Sequence, residues 1–358
     1  MNRLSELAVN KKNNFNLIRL AAAIAVLAGH CFPLATGLEA DFWIGHHLGI
    51  SLGSIAVDIF FITSGFLVTG SLLSSKDTVK FIKARTLRVY PALLVMLFFT
   101  TIFIGAYFTK LQTTDYFASH DTHWYLLKNA SLITGVSFTL PGVFETNPYK
   151  IAVNGSLWTL PYEIWMYGAL ALIWLALSVF SKLRIRIFKI TIIILALLSL
   201  LIYNSINLSD SRYFQLIKLF SMFFSGATYC VLQKRIILSL PLFCFTSIAL
   251  GVSMLNKNVF HVVYSLTLTY LLICAAYMPS GRIRAFNRLG DYSYGIYIYA
   301  FPVQQSVTAL FPGISVGGLL LISLLITFAF AALSWHLIEK PSLELKTRVS
   351  GGCNTRLT

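Results

Sequence analysis

Apolar residues run through this 358-residue chain in long unbroken stretches, with the polar and charged residues gathered between them. A helix needs about 20 predominantly apolar residues to cross the roughly 30 Å hydrocarbon layer of a bilayer. Ten stretches fit that pattern: Phe15 to Leu34, Leu48 to Leu73, Val89 to Thr109, Gly155 to Ser181, Ile187 to Tyr203, Tyr213 to Leu232, Ile236 to Leu255, Val259 to Met278, Tyr292 to Phe311 and Ile314 to Ile338. Strands of a membrane barrel alternate polar and apolar residues, and these runs do not. The pattern predicts an all-α, polytopic integral membrane protein with about ten transmembrane helices.

Composition agrees: 57% of the residues are hydrophobic and 11% charged, against roughly a quarter charged in soluble domains. The net charge of +15, read as a total, suits a nucleic-acid partner. Its distribution argues against one, because Lys and Arg crowd alternate connecting segments. With Arg19 set apart, the N-terminus, the even-numbered loops and the tail hold 21 of them and the other loops hold 6. The positive-inside rule puts the rich side, and with it both termini, in the cytoplasm.

The chain accordingly divides into a cytoplasmic segment over 1–14, a transmembrane domain over 15–338 with an outer loop at 110–154, and a cytoplasmic tail over 339–358. The first apolar run is long and follows a polar stretch, so it reads as a retained helix and not a cleaved signal. The outer loop is polar and aromatic, suited to a substrate mouth or to a simple connector. No second domain is expected in the tail, and no internal repeat of the transporter kind is visible. Cys31, Cys230, Cys244, Cys274 and Cys353 are scattered. With no pair at metal or redox spacing they read as packing residues, and no metal site is expected.

Ionisable groups inside hydrocarbon are costly and are functional candidates by default. Arg19, His30, Asp58 and Glu163 stand out. At about 1.5 Å of rise per residue, His30 lies about 16 Å beyond Arg19, in the outer half of the bilayer. Asp58 and Glu163 lie roughly 15 and 12 Å down inward-running helices, and Gln304 and Gln305 about 18 to 20 Å up the ninth. Apart from Arg19, all fall into one layer between the midplane and the outer face. A neutral imidazole can take a proton from an attacking hydroxyl, and a carboxylate in reach fixes its tautomer. His30 with Asp58 or Glu163 has that chemistry; the plainer alternative is a structural, hydrogen-bonded histidine. Arg85 and Arg88, three apart, share one helical face at the mouth of the third helix, with Arg19 at similar depth. Such a face suits the phosphates of a cofactor, or else topogenic charge facing lipid head groups.

Taken together these residues resemble the acyltransferase 3 family of membrane acyltransferases, many of which O-acetylate bacterial surface polysaccharides. The resemblance covers nearly the whole chain. It rests on NLIRLAAAIAVLAGHCFP with Arg19 and His30, DIFFITSGFLVTG with Asp58, Ser64 and Gly65, and the Arg-x-x-Arg of KARTLRVYPAL. NGSLWTLPYEIW with Trp158 and Glu163, LGDYSYGIYIYAFPVQQ in the ninth helix and IEKP at the end of the tenth complete it. It implies a protein of the bacterial cytoplasmic (inner) membrane, with acetyl-CoA as acyl donor and a glycan or lipid-linked sugar, such as O-antigen or exopolysaccharide, as acceptor. It implies that Arg19 and His30 are essential, with His30 catalytic, and that Arg85 and Arg88 engage acyl-CoA at the cytoplasmic face. Glu163 and Asp58 are then candidates to orient the imidazole or bind the acceptor, and Trp158, Gln304 and Gln305 to bind the acceptor or its oxyanion. One departure from the family pattern is Ala300, where many members carry a second His before the aromatic-Pro pair. A transporter or flippase for a lipid-linked sugar, with His30 and the acids relaying protons, is the alternative from another class.

Overall fold

A computed structural model of the chain describes residues 2–9, 12–38, 47–150, 152–180, 182–205, 212–288 and 290–350. Lys11, Cys353 and Arg356, placed by the charge and cysteine patterns, lie outside the described residues. Helix dominates, and each of the ten apolar runs contains one. Numbered by those runs, the helices are Phe15–Thr36, Leu52–Ser75, Thr78–Phe108, Gly155–Val179, Arg184–Ser205, Arg212–Val231, Leu240–Ser253, Lys257–Tyr277, Ser293–Leu310 and Val316–Leu345. Eight of them are long and apolar enough to cross a membrane. The seventh, of 14 residues, and the ninth, rich in Tyr, Gln, Ser and Thr, fall outside that set.

The third helix starts at Thr78, well before the apolar run at Val89. Arg85 and Arg88 therefore sit about two and three turns inside it, not at its mouth. The extension is amphipathic: Phe81 and Ala84 are buried while Lys80, Ile82 and Lys83 face outward.

The chain forms two compact units. The first comprises Met1–Val26, Ala40–Thr78 and Met166–Asp291. Its second helix is capped at both ends: Ser51 accepts from the N–H of Ser54, and Lys76, in the left-handed region at φ 53°, donates to Leu72 O. That helix packs most extensively against the sixth. Gly65 lies against the backbone of Phe223, and Gly226 against the backbone of Ile62. Without these glycines a Cβ would overlap a carbonyl, so small residues set the helix spacing, as they do wherever membrane helices approach closely. The segment ahead of the first helix is not a plain tail. Asn2–Arg3 pairs antiparallel with Ile237–Leu238, and Leu4 is fully buried in a core with Phe15, Phe66, Tyr270, Ile273 and Tyr277.

The second unit comprises Leu27–Glu39, Val79–Trp165 and Tyr292–Thr358. Its ninth and tenth helices meet closely where Gly295 lies against Ala331. Both the third and the tenth helices contain a π-turn, at Thr100–Gly105 and Trp335–Glu339. The segment read as an outer loop folds into two short helices, Thr113–Ala118 and His120–Ser131, followed by a strand-like return bridged at Thr139 and Ala152. Its Tyr116 is buried and donates to Thr101 O at 2.9 Å. Burial pushes the Tyr116 and Tyr125 phenols above the usual tyrosine range, with mutual repulsion adding to the shift at Tyr125.

Candidate functional site

The ninth helix organises the second unit. Pro302 stands in its interior and has no N–H, which leaves the carbonyl of Ile298 without its helical donor. The fully buried side chain of Asn154 supplies one: its Nδ2 donates to Ile298 O at 2.9 Å, while its Oδ1 accepts from Ser156 N and caps the turn that opens the fourth helix. Two further side chains tie the ninth helix down. Gln304 Nε2 donates to Leu27 O at 2.8 Å and to Cys31 Sγ at 3.0 Å, on either side of His30 along the first helix. Gln305 Nε2 donates to the carbonyls of Tyr149 and Ala152, and its Oε1 accepts from Asn147.

These contacts change two expectations. Both N–H groups of Gln304 are committed, so the group it has left is Oε1, buried and without a partner among the described residues. It is placed to accept a hydroxyl hydrogen, not to donate to an oxyanion. Gln305 is consumed at both ends of its amide and anchors the return of the loop; it offers no free group to a sugar.

His30 packs edge-on to Phe301, ring centroids 5.2 Å apart. Its Nδ1 is buried and has no hydrogen-bond partner among the described residues. The carboxylate that the sequence suggests for fixing the tautomer, Asp58 or Glu163, is therefore not at Nδ1 among the described residues. Glu163, half-buried on the fourth helix, instead lies within electrostatic range of Tyr297, whose hydroxyl is hydrogen-bonded to Thr159 at 2.5 Å. Trp158 stands at the edge of an open cavity of about 520 Å³ lined by Phe138, Pro148, Tyr149, Lys150 and Gly155. Tyr149 in turn packs edge-on to Phe301 at 6.1 Å, so one ring, Phe301, touches both a wall residue of the cavity and the histidine.

On the third helix Arg88 is paired with Glu339 at 2.9 Å and flanked by the rings of Tyr294 and Trp335 at 5.7 and 6.0 Å. Glu339 is 2% exposed and also accepts from Ser334. The π-turn of the tenth helix carries this acid, and π-turns recur at functional sites. Arg85 sits half-buried one turn before Arg88.

Two expected site residues belong to the first unit. Arg19 is ion-paired with Asp291 at 3.6 Å and lies over the ring of Phe60. Asp58 is fully buried; its Oδ2 receives Lys218 Nζ at 2.9 Å and Tyr264 OH at 2.8 Å. Lys218, itself 4% exposed, also donates to Ser54. Lys218 is one of the six cationic residues assigned above to the other loops, yet it is the sixth residue of the apolar run Tyr213 to Leu232. Glu339 and Asn154 fall within the IEKP and NGSLWTLPYEIW motifs, but their partners Arg88 and Ile298 are distant in sequence, and no local pattern indicates them.

No solved structure matches the chain. Residues 12–338 match the acyltransferase domain family. An O-acetyl transferase of Shigella phage Sf6 is 30% identical over 346 residues, covering 93% of this chain and 96% of the relative. Nodulation protein 10 of Rhizobium leguminosarum bv. viciae is 27% identical, covering 94% of each. The family match over almost the whole chain, on a framework of membrane-length apolar helices, answers the transporter alternative: this chain belongs to the acyltransferase 3 family and is a multi-pass membrane O-acyltransferase.

Proposed function

We propose that the protein moves an acetyl group from acetyl-CoA to a hydroxyl of a surface or lipid-linked sugar, with His30 as the proton-accepting group. Arg85 and Arg88 would hold phosphates of the donor at the cytoplasmic side of the second unit. Glu339 keeps the Arg88 guanidinium extended and in register before the donor arrives. The pantetheine arm would run along the helices towards His30, and the sugar would enter through the cavity beside Trp158 and Tyr149, whose ring faces suit the apolar face of a pyranose. The activity named for the phage relative supports acetyl as the group transferred.

The observation that carries this reading is the state of His30. Its buried Nδ1 has no partner among the described residues; leaving such a group unmade costs about 1–3 kcal/mol, which a hydroxyl of the bound acceptor would offset. In the simplest sequence His30 takes the proton of the sugar hydroxyl as its oxygen bonds to the thioester carbon. The tetrahedral intermediate then breaks its C–S bond, and the imidazolium returns the proton to the departing CoA thiolate. Gln304 Oε1 would accept from a neighbouring hydroxyl and help set which oxygen attacks. Transient acetylation of His30 itself, followed by transfer, uses the same groups.

Replacing His30 by Ala is expected to lower transfer of labelled acetyl from acetyl-CoA to glycan in vesicles by about 100-fold or more, with the protein present at wild-type abundance. Normal transfer by folded His30→Ala protein would overturn the assignment.

A further inference from the structure

The Nδ1 of His30 has no hydrogen-bond partner among the described residues, so the orientation of the ring depends on what packs against it. One ring packed against it is Phe301, and the place of Phe301 is fixed from below by residues 154 and 155. Pro302, the next residue, cannot donate to Ile298 O, and Asn154 does so instead at 2.9 Å from a fully buried position. At Gly155 a Cβ would stand 2.7 and 2.9 Å from Cε2 and Cζ of Phe301. The ring thus fills the space that only a glycine leaves. On the other side of Pro302, Gln304 is bonded to Leu27 O and Cys31 Sγ, which brackets His30. The break in the ninth helix is therefore held by one side chain before it and one after it, with the His30 contact between them.

We propose that Asn154 is a positioning residue for acyl transfer: it supplies the N–H that Pro302 lacks, and so fixes the helix break at which Phe301, seated on Gly155, orients His30. This deepens the function proposed above and rests on His30 as the proton-accepting group. The competing role for Asn154 is the cap alone, since its Oδ1 also accepts from Ser156 N. Serine separates the two roles, because its hydroxyl caps a helical turn well but is too short to reach Ile298 O.

In the full-length protein in vesicles, Asn154→Ser is expected to lower kcat at least tenfold while KM for acetyl-CoA stays within twofold and abundance is unchanged. Pro302→Ala returns an N–H to position 302. In that background Asn154→Ser is expected to change kcat less than twofold. A readout independent of turnover is modification of His30 by diethyl pyrocarbonate, followed by mass spectrometry. Asn154→Ser should raise its rate several-fold, because Phe301 no longer covers the ring. Gly155→Ala should reproduce the lower kcat and the faster modification, because the added methyl displaces the Phe301 ring. A loss of kcat that is the same with and without the Pro302→Ala change, a loss confined to KM, or unchanged His30 reactivity would each overturn the proposal. Full transfer by His30→Ala would remove the underlying chemical role, while the modification rates still report whether Asn154 sets the ring.

Discussion

At the scale of single residues, the least expected feature is the ion pair between Asp58 and Lys218, completed by Tyr264 and Ser54 and shielded from solvent on all sides. Removing two full charges from water is expensive, and the pair is tolerable because Oδ2 takes both the Lys218 ammonium and the Tyr264 hydroxyl; Oδ1 is buried with no hydrogen-bond partner among the described residues. Loss of either partner alone leaves an uncompensated charge. Lys218→Met is therefore expected to destabilise the protein by about 3–5 kcal/mol, read as a lower Tm in detergent. Asp58→Leu combined with Lys218→Met should recover most of that loss, and a Lys218→Met protein as stable as wild type would remove the pair from the account of stability. Glu339 and Arg88 follow the same electrostatic logic with a different exposure: the acid is 2% exposed and the guanidinium 13%. Arg88 thus keeps a wetted edge, whereas Lys218 is almost fully enclosed.

At the scale of elements, the contact between the second and sixth helices is set by two glycines placed reciprocally, Gly65 against Phe223 and Gly226 against Ile62. Backbone cannot move aside as a flexible side chain can, so a methyl at either position must push the helices apart. Gly65→Ala is expected to cost about 1–3 kcal/mol. Gly168→Ala is the control: nothing lies within 4 Å of its added Cβ, and its Tm should be unchanged or slightly raised. Equal melting of the two variants would show that the close approach does not limit stability. The same helices show how far the sequence could be read. Apolar run length located the eight membrane-length helices among the described residues, because hydrocarbon thickness imposes it, but it did not separate them from the shorter seventh and the more polar ninth. It misplaced the start of the third helix, because hydropathy does not register an amphipathic continuation such as Thr78–Arg88. Arg19, His30, Arg88 and Trp158 were visible as residues out of place in an apolar chain or as parts of motifs. Their partners Asp291, Phe301, Glu339 and Tyr149 were not, since those contacts close over distances in sequence that no periodicity encodes.

At the scale of the whole molecule, the alternation of cationic segments supplies a sidedness that can be measured directly. In a cysteine-free background, a cysteine at Lys150 is expected to react with a membrane-impermeant maleimide on intact cells. One at Lys80 should react only after permeabilisation. Both side chains are exposed, so the reverse pattern would invert the proposed arrangement of donor and acceptor. The buried Asp58–Lys218 pair also has a history in time. The two residues are about 160 positions apart, and ribosomes add about 5–20 residues per second. The second helix therefore waits on the order of ten to thirty seconds after its own synthesis before its counter-charge emerges. During that interval its acid must stay protonated, or be sheltered by the insertion machinery, so correct biogenesis of this enzyme depends on a delayed meeting of two helices and not on each helix partitioning alone.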